Sequence, residues 1–461
     1  MLDQNIAAEV LACAVKTGGD FAEIFMEDAV NHGITLRSGV IESANTSRRH
    51  GAGIRVLSGT QAVYVYTNDT SRQGLMDCAA KAAAAVKGGA GCSLIPFAAV
   101  DYARPGEIAV DPMTVKAALK AEKLRAANAA AHSVSDEIIQ VMGTYRDSVQ
   151  HVLIANTEGV FATDIRTETR LACQAVASNG TENQIGFEGP GARMGFEFFD
   201  SRINPEEIAK AAAQSAVTML HAPLCPAGTM PVCIDNGFGG VIFHEACGHS
   251  LEATSVSYGL SEFTGKLGQQ IAAPCVTAID DGTLMNEWGS LHVDDEGMPT
   301  QRNVLIQDGI LTGYMIDKLG GRRMNMAPTG SGRRQGYTHA PTSRMTNTYI
   351  AAGSDDEDDM IATMGDGLYA KKMGGGSVDP ATGEFNFAVS EGYLVKGGKI
   401  VHPVRGASLI GRGSEVLMKI DRVGKNMRMG QGVCGSVSGS VNTNVGQPMI
   451  RVSSLVVGGG K

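Results

Sequence analysis

Aromatic residues are scarce in this 461-residue chain, at 5% with a single tryptophan, and no Lys/Arg-rich run offsets a formal net charge of −9. Clustered positive charge is the footprint of a nucleic-acid surface, so nucleic acid is excluded as the expected partner. Nowhere do about 18 uninterrupted apolar residues occur, which argues against a membrane span. The opening MLDQNIAAEVLACAVKTGGD carries acidic residues and lacks the basic region that precedes a signal core, so a cytoplasmic protein is expected. The nine cysteines are odd in number, scattered and nowhere spaced as C-x-x-C, which argues against a disulfide framework and predicts that most are buried thiols. No fixed-period repeat is visible.

What is present fits a soluble globular protein: 43% hydrophobic and 19% charged residues, with length enough for two domains. The 59 glycines gather in the second half, where they predict tight turns and β-rich structure. Helices are expected at residues 4–17, from 69–71 to 86, at Pro112 to Ala131 and at Pro205 to Leu220, the last behind Asn204 as N-cap. Short alternating runs predict strands at 21–28, 33–38, 40–47, 53–57 and 62–67, with turns at Asn31-His32-Gly33, Ser38-Gly39 and Ser58-Gly59. Further strands are expected at 136–145, 150–156, 159–164 and 166–178.

The prolines and glycine of 221–228 mark a domain boundary, giving a mixed α/β domain over 1–225 and a β-rich domain over 226–461 in an α+β chain. In that second part, strands are expected at 275–279, 304–307, 312–317, 387–389, 392–395 and 399–403. The acid run Asp355 to Asp359 precedes a helical stretch at 360–364 and is expected to be its solvated, dipole-favoured start.

The chemistry concentrates in Phe243-His244-Glu245-Ala246-Cys247-Gly248-His249-Ser250-Leu251-Glu252. Imidazoles that hold an ion and a carboxylate that takes a proton from water are what a zinc hydrolase needs. His244, His249 and Glu245 are of those types. The familiar H-E-x-x-H pattern puts its histidines one turn apart, whereas here they are five residues apart. In a regular α-helix that spacing points the rings roughly 140° apart. Sharing one ion therefore requires a broken helix or a π-bulge, and Gly248 is the residue type that tolerates one. The spacing equally suits two histidines on a partly buried helix.

A catalytic zinc usually takes three protein ligands. Glu252, a distant cysteine and the Asp294-Asp295-Glu296 cluster all compete for the third place, and i,i+3 spacing on a helix favours Glu252. Cys247 is a rival inside the motif. Cys434 sits among glycines in Gly430-Gln431-Gly432-Val433-Cys434-Gly435, where a backbone can come close to an ion.

The motif HEACGHSLE resembles the HExxxH-type motif of the TldD/PmbA family of metallopeptidases, and Gly432-Val433-Cys434-Gly435 resembles that family's C-terminal cysteine segment. Asp294-Asp295-Glu296-Gly297, Leu305 to Gly309, Gly330 to Arg334, Arg344 to Thr348, Gly374 to Gly376 and Pro403-Val404-Arg405 resemble family segments in the family's order. The first half resembles it more loosely. Gly435-Ser436-Val437-Ser438-Gly439 departs from the family's glycine- and lysine-rich continuation.

The resemblance implies His244, His249 and Cys434 as zinc ligands, and Glu245 as the base that activates the water held by Zn2+. Glu252 is then expected to orient a histidine or cap the deformed turn. Tyr337, His339, Arg344 and the pair Arg333 and Arg334, in a glycine-rich loop, are candidates for binding substrate or steadying the oxyanion. Unfolded or short peptides, enclosed in the cavity of a homodimer or of a heterodimer with a motif-lacking paralogue, are the implied substrates. The alternatives are a non-catalytic scaffold subunit and an amidohydrolase of non-peptide substrates.

Overall fold

Alternation along Phe21–Arg37 divides that strand into two faces, and the first half is built on the division. In the computed structural model, which describes residues 2–460 apart from 87, 88, 90, 101, 103–105, 380 and 381, this strand lies inside an eight-stranded sheet. It pairs antiparallel with Val40–Ser58 on one side and Ile138–Asn156 on the other. Ala22 and Ile24 pack with the helices Gln4–Val15 and Arg72–Ala85. Ile34 and Leu36, of the same parity, pack with Ala117–His132. The odd positions Glu23, Phe25 and Glu27 face the second half of the chain, where Phe25 meets Val293.

Several expected strands are pieces of longer ones. Asn31-His32-Gly33 is no turn: His32 and Gly33 run straight through, Gly33 pairing with both Asn45 and Arg146. Glycine inside a strand costs about 0.5–1 kcal/mol relative to alanine. A ladder on both edges offsets that, since each hydrogen bond is worth about 0.5–1.5 kcal/mol net. The chain reverses at Ser38-Gly39 instead, where both residues have positive φ, 45° and 84°, as a two-residue hairpin needs. In the same way 136–145 with 150–156, and 159–164 with 166–178, fuse into the hairpin of Ile138–Asn156 with Val160–Ser178.

The helix expected from Pro112 is interrupted. Asp111 caps a short 3-10 turn, Pro112–Thr114, but Val115 and Lys116 are extended, and the α-helix begins only at Ala117. The acid run behaves differently from a mere leader: Asp356 accepts from the backbone N–H of Asp359, so Glu357, Asp358 and Asp359 form the first turn of Glu357–Ala362.

The second half holds two larger sheets. A seven-stranded one contains Gly228–Ile234, Gly367–Val378, Glu384–Lys396 and Ile450–Gly458, and the pairing of 367–378 with 384–396 closes its path into a ring. A six-stranded one ends in the hairpin of Arg428–Ser436 and Gly439–Gln447, with Arg428–Ser436 at its edge. The motif segment is buried in the shared core between them, against Val232, Ile234, Leu305 and Met345. The strand expected at 312–317 is spent here. Ile310–Leu311 is the paired piece, and Met315 exchanges backbone hydrogen bonds with Leu251 and Ala253 at the end of the motif. The chain is thus α+β, with helices layered on one face of the first sheet and a β-rich second half.

Ionic side chains join the halves. Arg334 donates to Glu23 at 2.7 Å, and its guanidinium lies 4.4 Å from the Phe25 ring centre. Arg55 reaches Glu23 at 2.7 Å and Glu296 at 2.5 Å, and Arg166 bridges Asp164 at 3.2 Å and Asp295 at 2.6 Å. Buried pairs of this kind contribute little net stability when intact, but breaking one costs about 3–5 kcal/mol. Their effect is to lock how the two halves meet.

Candidate metal centre

From Phe238 the chain winds through a 3-10 turn and one α turn, then becomes a π-helix over His244–Gly248, with the N–H of His249 bonded to the carbonyl of His244. The i+5 bond closes the angular gap that the spacing demanded. His244 and His249 now stand with ring centres 5.1 Å apart and planes at 83°.

Gly248 is needed for space rather than for backbone freedom. Its φ of −54° is ordinary helix, but a Cβ there would sit 2.4 Å from Met345 Sδ. The winding ends at Glu252, whose extended backbone swings its carboxylate back under the ring of His249.

Cys434 arrives from the far end of the chain on the edge strand Arg428–Ser436, with Sγ 3.1 Å from His249 Nε2. One donor atom from each of His244, His249 and Cys434 can be drawn within 4.8 Å of the others. Tetrahedral zinc, with bonds of about 2.0–2.1 Å to nitrogen and 2.3 Å to sulfur, spans such a group with small adjustment.

The electrostatics suit a cation. His244 is 2% exposed and its Nδ1 has no hydrogen-bond partner among the described residues. Burial, with His249 and Arg344 nearby, holds its pKa well below the usual value, so the ring is the neutral species that binds metals. Burial pushes His249 the same way but is outweighed by Glu252 and Cys434, which raise it well above the usual value. The site therefore favours positive charge at that ring.

Glu252 Oε2 lies 3.1 Å from His249 Nδ1. With a proton held on Nδ1 by that carboxylate, Nε2, which faces Cys434, is the nitrogen that would give up its proton to a metal. The half-buried Glu245 carboxylate is 3.8 Å from His249 Nε2. Burial, reinforced by Glu252 and opposed by His249, raises its pKa above an ordinary carboxyl's.

Of the other candidates, all but Arg344 are engaged away from the three donor atoms. Cys247 is in the hydrophobic core. Asp294 accepts from the backbone of Glu296, Met298 and Gly332, while Asp295 and Glu296 take part in the junction with the first sheet. Arg334 is in that junction too, and Tyr337 is bound there through its N–H to Glu27 and its carbonyl to Tyr64. His339 pairs with the Thr338 hydroxyl at 3.0 Å. Arg333 donates to the carbonyls of Met345 and Asn442. Arg344 is wholly buried and donates to the carbonyl of Cys434 at 2.5 Å, to that of Gly439 and to Ser438 Oγ. Its place in the cluster is thus behind the cysteine strand.

Sequence reasoning missed the acidic stripe that receives Arg334 and Arg55. Glu23, a lone charge in the apolar run 21–26, with Glu27 following on the same parity, was its available signal.

Three domain models of the PmbA/TldA metallopeptidases match the chain: domain 1 over residues 22–86, the central domain over 111–220 and the C-terminal domain over 227–459. A Haemophilus influenzae protein named metalloprotease TldD homolog is 39% identical over 451 residues, covering 95% of this chain and 93% of its own. Among solved structures, one from Thermotoga maritima superposes with a TM-score of 0.82 at 22% identity, covering 99% of this chain and 100% of the other. TldE from Thermococcus kodakarensis does so with a TM-score of 0.78 at 18% identity, covering 98% and 99%. These two likenesses bear on the fold. With matches spanning nearly its whole length, the chain belongs to the TldD/PmbA family of metallopeptidases.

Proposed function

We propose that this protein is a zinc-dependent peptidase acting on unfolded or short peptides, with His244, His249 and Cys434 as metal ligands and Glu245 as general base. The observation that carries the reading is the donor group of His244, His249 and Cys434, gathered within 4.8 Å beside a carboxylate of raised pKa. A zinc ion there would polarise the scissile carbonyl and make a water at its open position more acidic.

The chain's own groups do the rest. Glu245 takes a proton from the attacking water and returns it to the leaving amine, for which a carboxylate raised toward neutral pH is suited. Glu252 keeps His249 in the tautomer whose Nε2 is free, and Arg344 fixes the strand that delivers Cys434. An extended peptide would pair with Arg428–Ser436, at the edge of its sheet, through main-chain groups other than the Gly432 and Cys434 carbonyls, which Trp288 and Arg344 hold, and such bonds ignore side chains, which favours tolerance of sequence.

The working form is a dimer, of two copies or with a motif-lacking paralogue of the TldE kind, in the cytoplasm. Among the described residues no helix is long and apolar enough to cross a membrane.

The test is metal analysis and native mass measurement of the purified chain, alone and with such a paralogue, coupled to digestion of a mixed peptide library with and without chelator. One zinc per chain and chelator-sensitive cleavage support the reading. Zinc without cleavage in either assembly would leave a scaffold subunit.

A further inference from the structure

Five arginines, Arg49, Arg166, Arg193, Arg333 and Arg334, line a cavity of about 190 Å3 between the first sheet and the hairpin that carries Cys434. Three have close carboxylates: Arg49 on Glu27, Arg166 on Asp164 and Asp295, Arg334 on Glu23. The other two are less well matched. Among the described residues, Arg333 donates to carbonyl oxygens alone, and Arg193 reaches Glu168 with one nitrogen at 3.3 Å. Burial and the neighbouring Arg193 pull Arg333 down to about 9. The Nε atoms of Arg193 and Arg334 are buried without a hydrogen-bond partner among the described residues. Buried cationic donors left unpaired are costly unless something anionic meets them.

A second cavity of about 390 Å3 adjoins the first, sharing Arg49 and Glu168 and adding Arg146, Arg170 and Trp288. The combined lining holds seven arginines, the first five with Arg146 and Arg170, against three carboxylates, Asp147, Glu168 and Asp295. Asp147 is already engaged by Lys120, His32 and Tyr145.

The register ties this cleft to the metal centre. Asn442 lines both cavities and its partner Val433, one residue before Cys434, lines the second. Successive residues of a strand face opposite ways. A peptide extended along the edge of Arg428–Ser436 would therefore turn alternate residues toward the metal ligands and toward the arginines.

We propose that the arginine cleft is a carboxylate subsite, taking the terminal or an acidic side-chain carboxylate of a peptide lying along the cysteine strand. It rests on the peptidase reading for the presence of that peptide. Bidentate guanidinium recognition would give the site its preference for carboxylate over amide.

Trp288, the chain's one tryptophan, lines the cleft, donates to the Gly432 carbonyl at 2.9 Å and packs against Arg170. Its fluorescence is a readout that needs no turnover. The full-length, zinc-loaded Glu245→Ala chain is titrated with acetyl-tetraalanine as free acid, as amide, and as amide with one alanine replaced by glutamate, and separately with inorganic phosphate.

The free acid or the glutamate amide should shift Trp288 emission at concentrations about tenfold or more below the neutral amide, a difference of about 1.4 kcal/mol. Arg193→Gln and the exposed Arg146→Gln should erase that preference. Equal binding of the neutral amide, a preference that survives both substitutions, or phosphate alone acting more tightly than either peptide would overturn the proposal. Failure of the peptidase reading shows separately, as zinc-loaded wild-type chain that cleaves no peptide while the carboxylate preference persists.

Discussion

Arg344 Nη2 donates to the carbonyl oxygen of Cys434 at 2.5 Å from a side chain wholly closed to solvent. The guanidinium also holds Ser438 and Gly439, so one planar group fixes both ends of the turn beyond the cysteine. Arg344→Lys keeps the charge but loses the fork. We expect zinc affinity to fall about 10–100-fold, read by competition with a chromophoric chelator, alongside a lower Tm. A lowered Tm with unchanged zinc affinity would make Arg344 a support of the turn alone.

Glu252 sits 3.1 Å from His249 Nδ1 and is itself 2% exposed. Glu252→Gln should retain the fold and weaken zinc binding by about tenfold or more, because an amide holds the ring proton less firmly than a carboxylate. Zinc affinity equal to wild type would remove Glu252 from the centre.

Glu245 contacts the donor group only at 3.8 Å, through His249. Its removal in Glu245→Ala should leave zinc stoichiometry at the wild-type value while kcat drops about 10²–10⁴-fold, the usual worth of a general base. The two quantities measured on one preparation separate base from ligand: loss of zinc, or retention of full kcat, contradicts the assignment.

Asp164 ties the first sheet to Arg166 and His292. Burial pushes its pKa up, but the hydrogen bond from His292 and the Arg166 charge prevail and hold it at about 2, against an ordinary 3.8. A carboxyl depressed on folding stabilises the protein above its unfolded pKa, and this is lost as pH falls from about 4 to about 2. At 1.36 kcal/mol per unit the contribution is about 2 kcal/mol. Urea unfolding at pH 5 and pH 2.5 should show that Asp164→Asn removes most of this part of the acid sensitivity. An unchanged slope would mean the unfolded chain keeps the same pairing.

Much of the architecture could be read from residue order because its signals are local. Asn204 caps the helix Pro205–Leu220 by accepting from Glu206, and Lys396-Gly397-Gly398 turns a hairpin where both glycines have positive φ. Where the reading failed, pairing at a distance had overruled local composition. Gly33 is held extended by neighbours on both sides, and Met315 is drawn to Leu251 and Ala253 rather than into a strand. The i,i+5 spacing announced the π turn because helical geometry leaves few other ways to bring His244 and His249 together.

The position of Cys434 beside them was carried by family resemblance, since no local pattern reports a contact across 185 residues. That Arg55 and Arg334 are the partners of Glu23 was equally illegible, although the charge itself stood out in its strand. Charges in strands are usually solvated, and only the assembled fold reveals that these three are enclosed.

That span has a bearing on when the protein becomes dangerous to its surroundings. A growing polypeptide possesses both imidazoles and the carboxylate long before the thiol is synthesised, and any chain cut short in between lacks one member of the donor group. Cleaving ability would then be withheld from unfinished or broken copies.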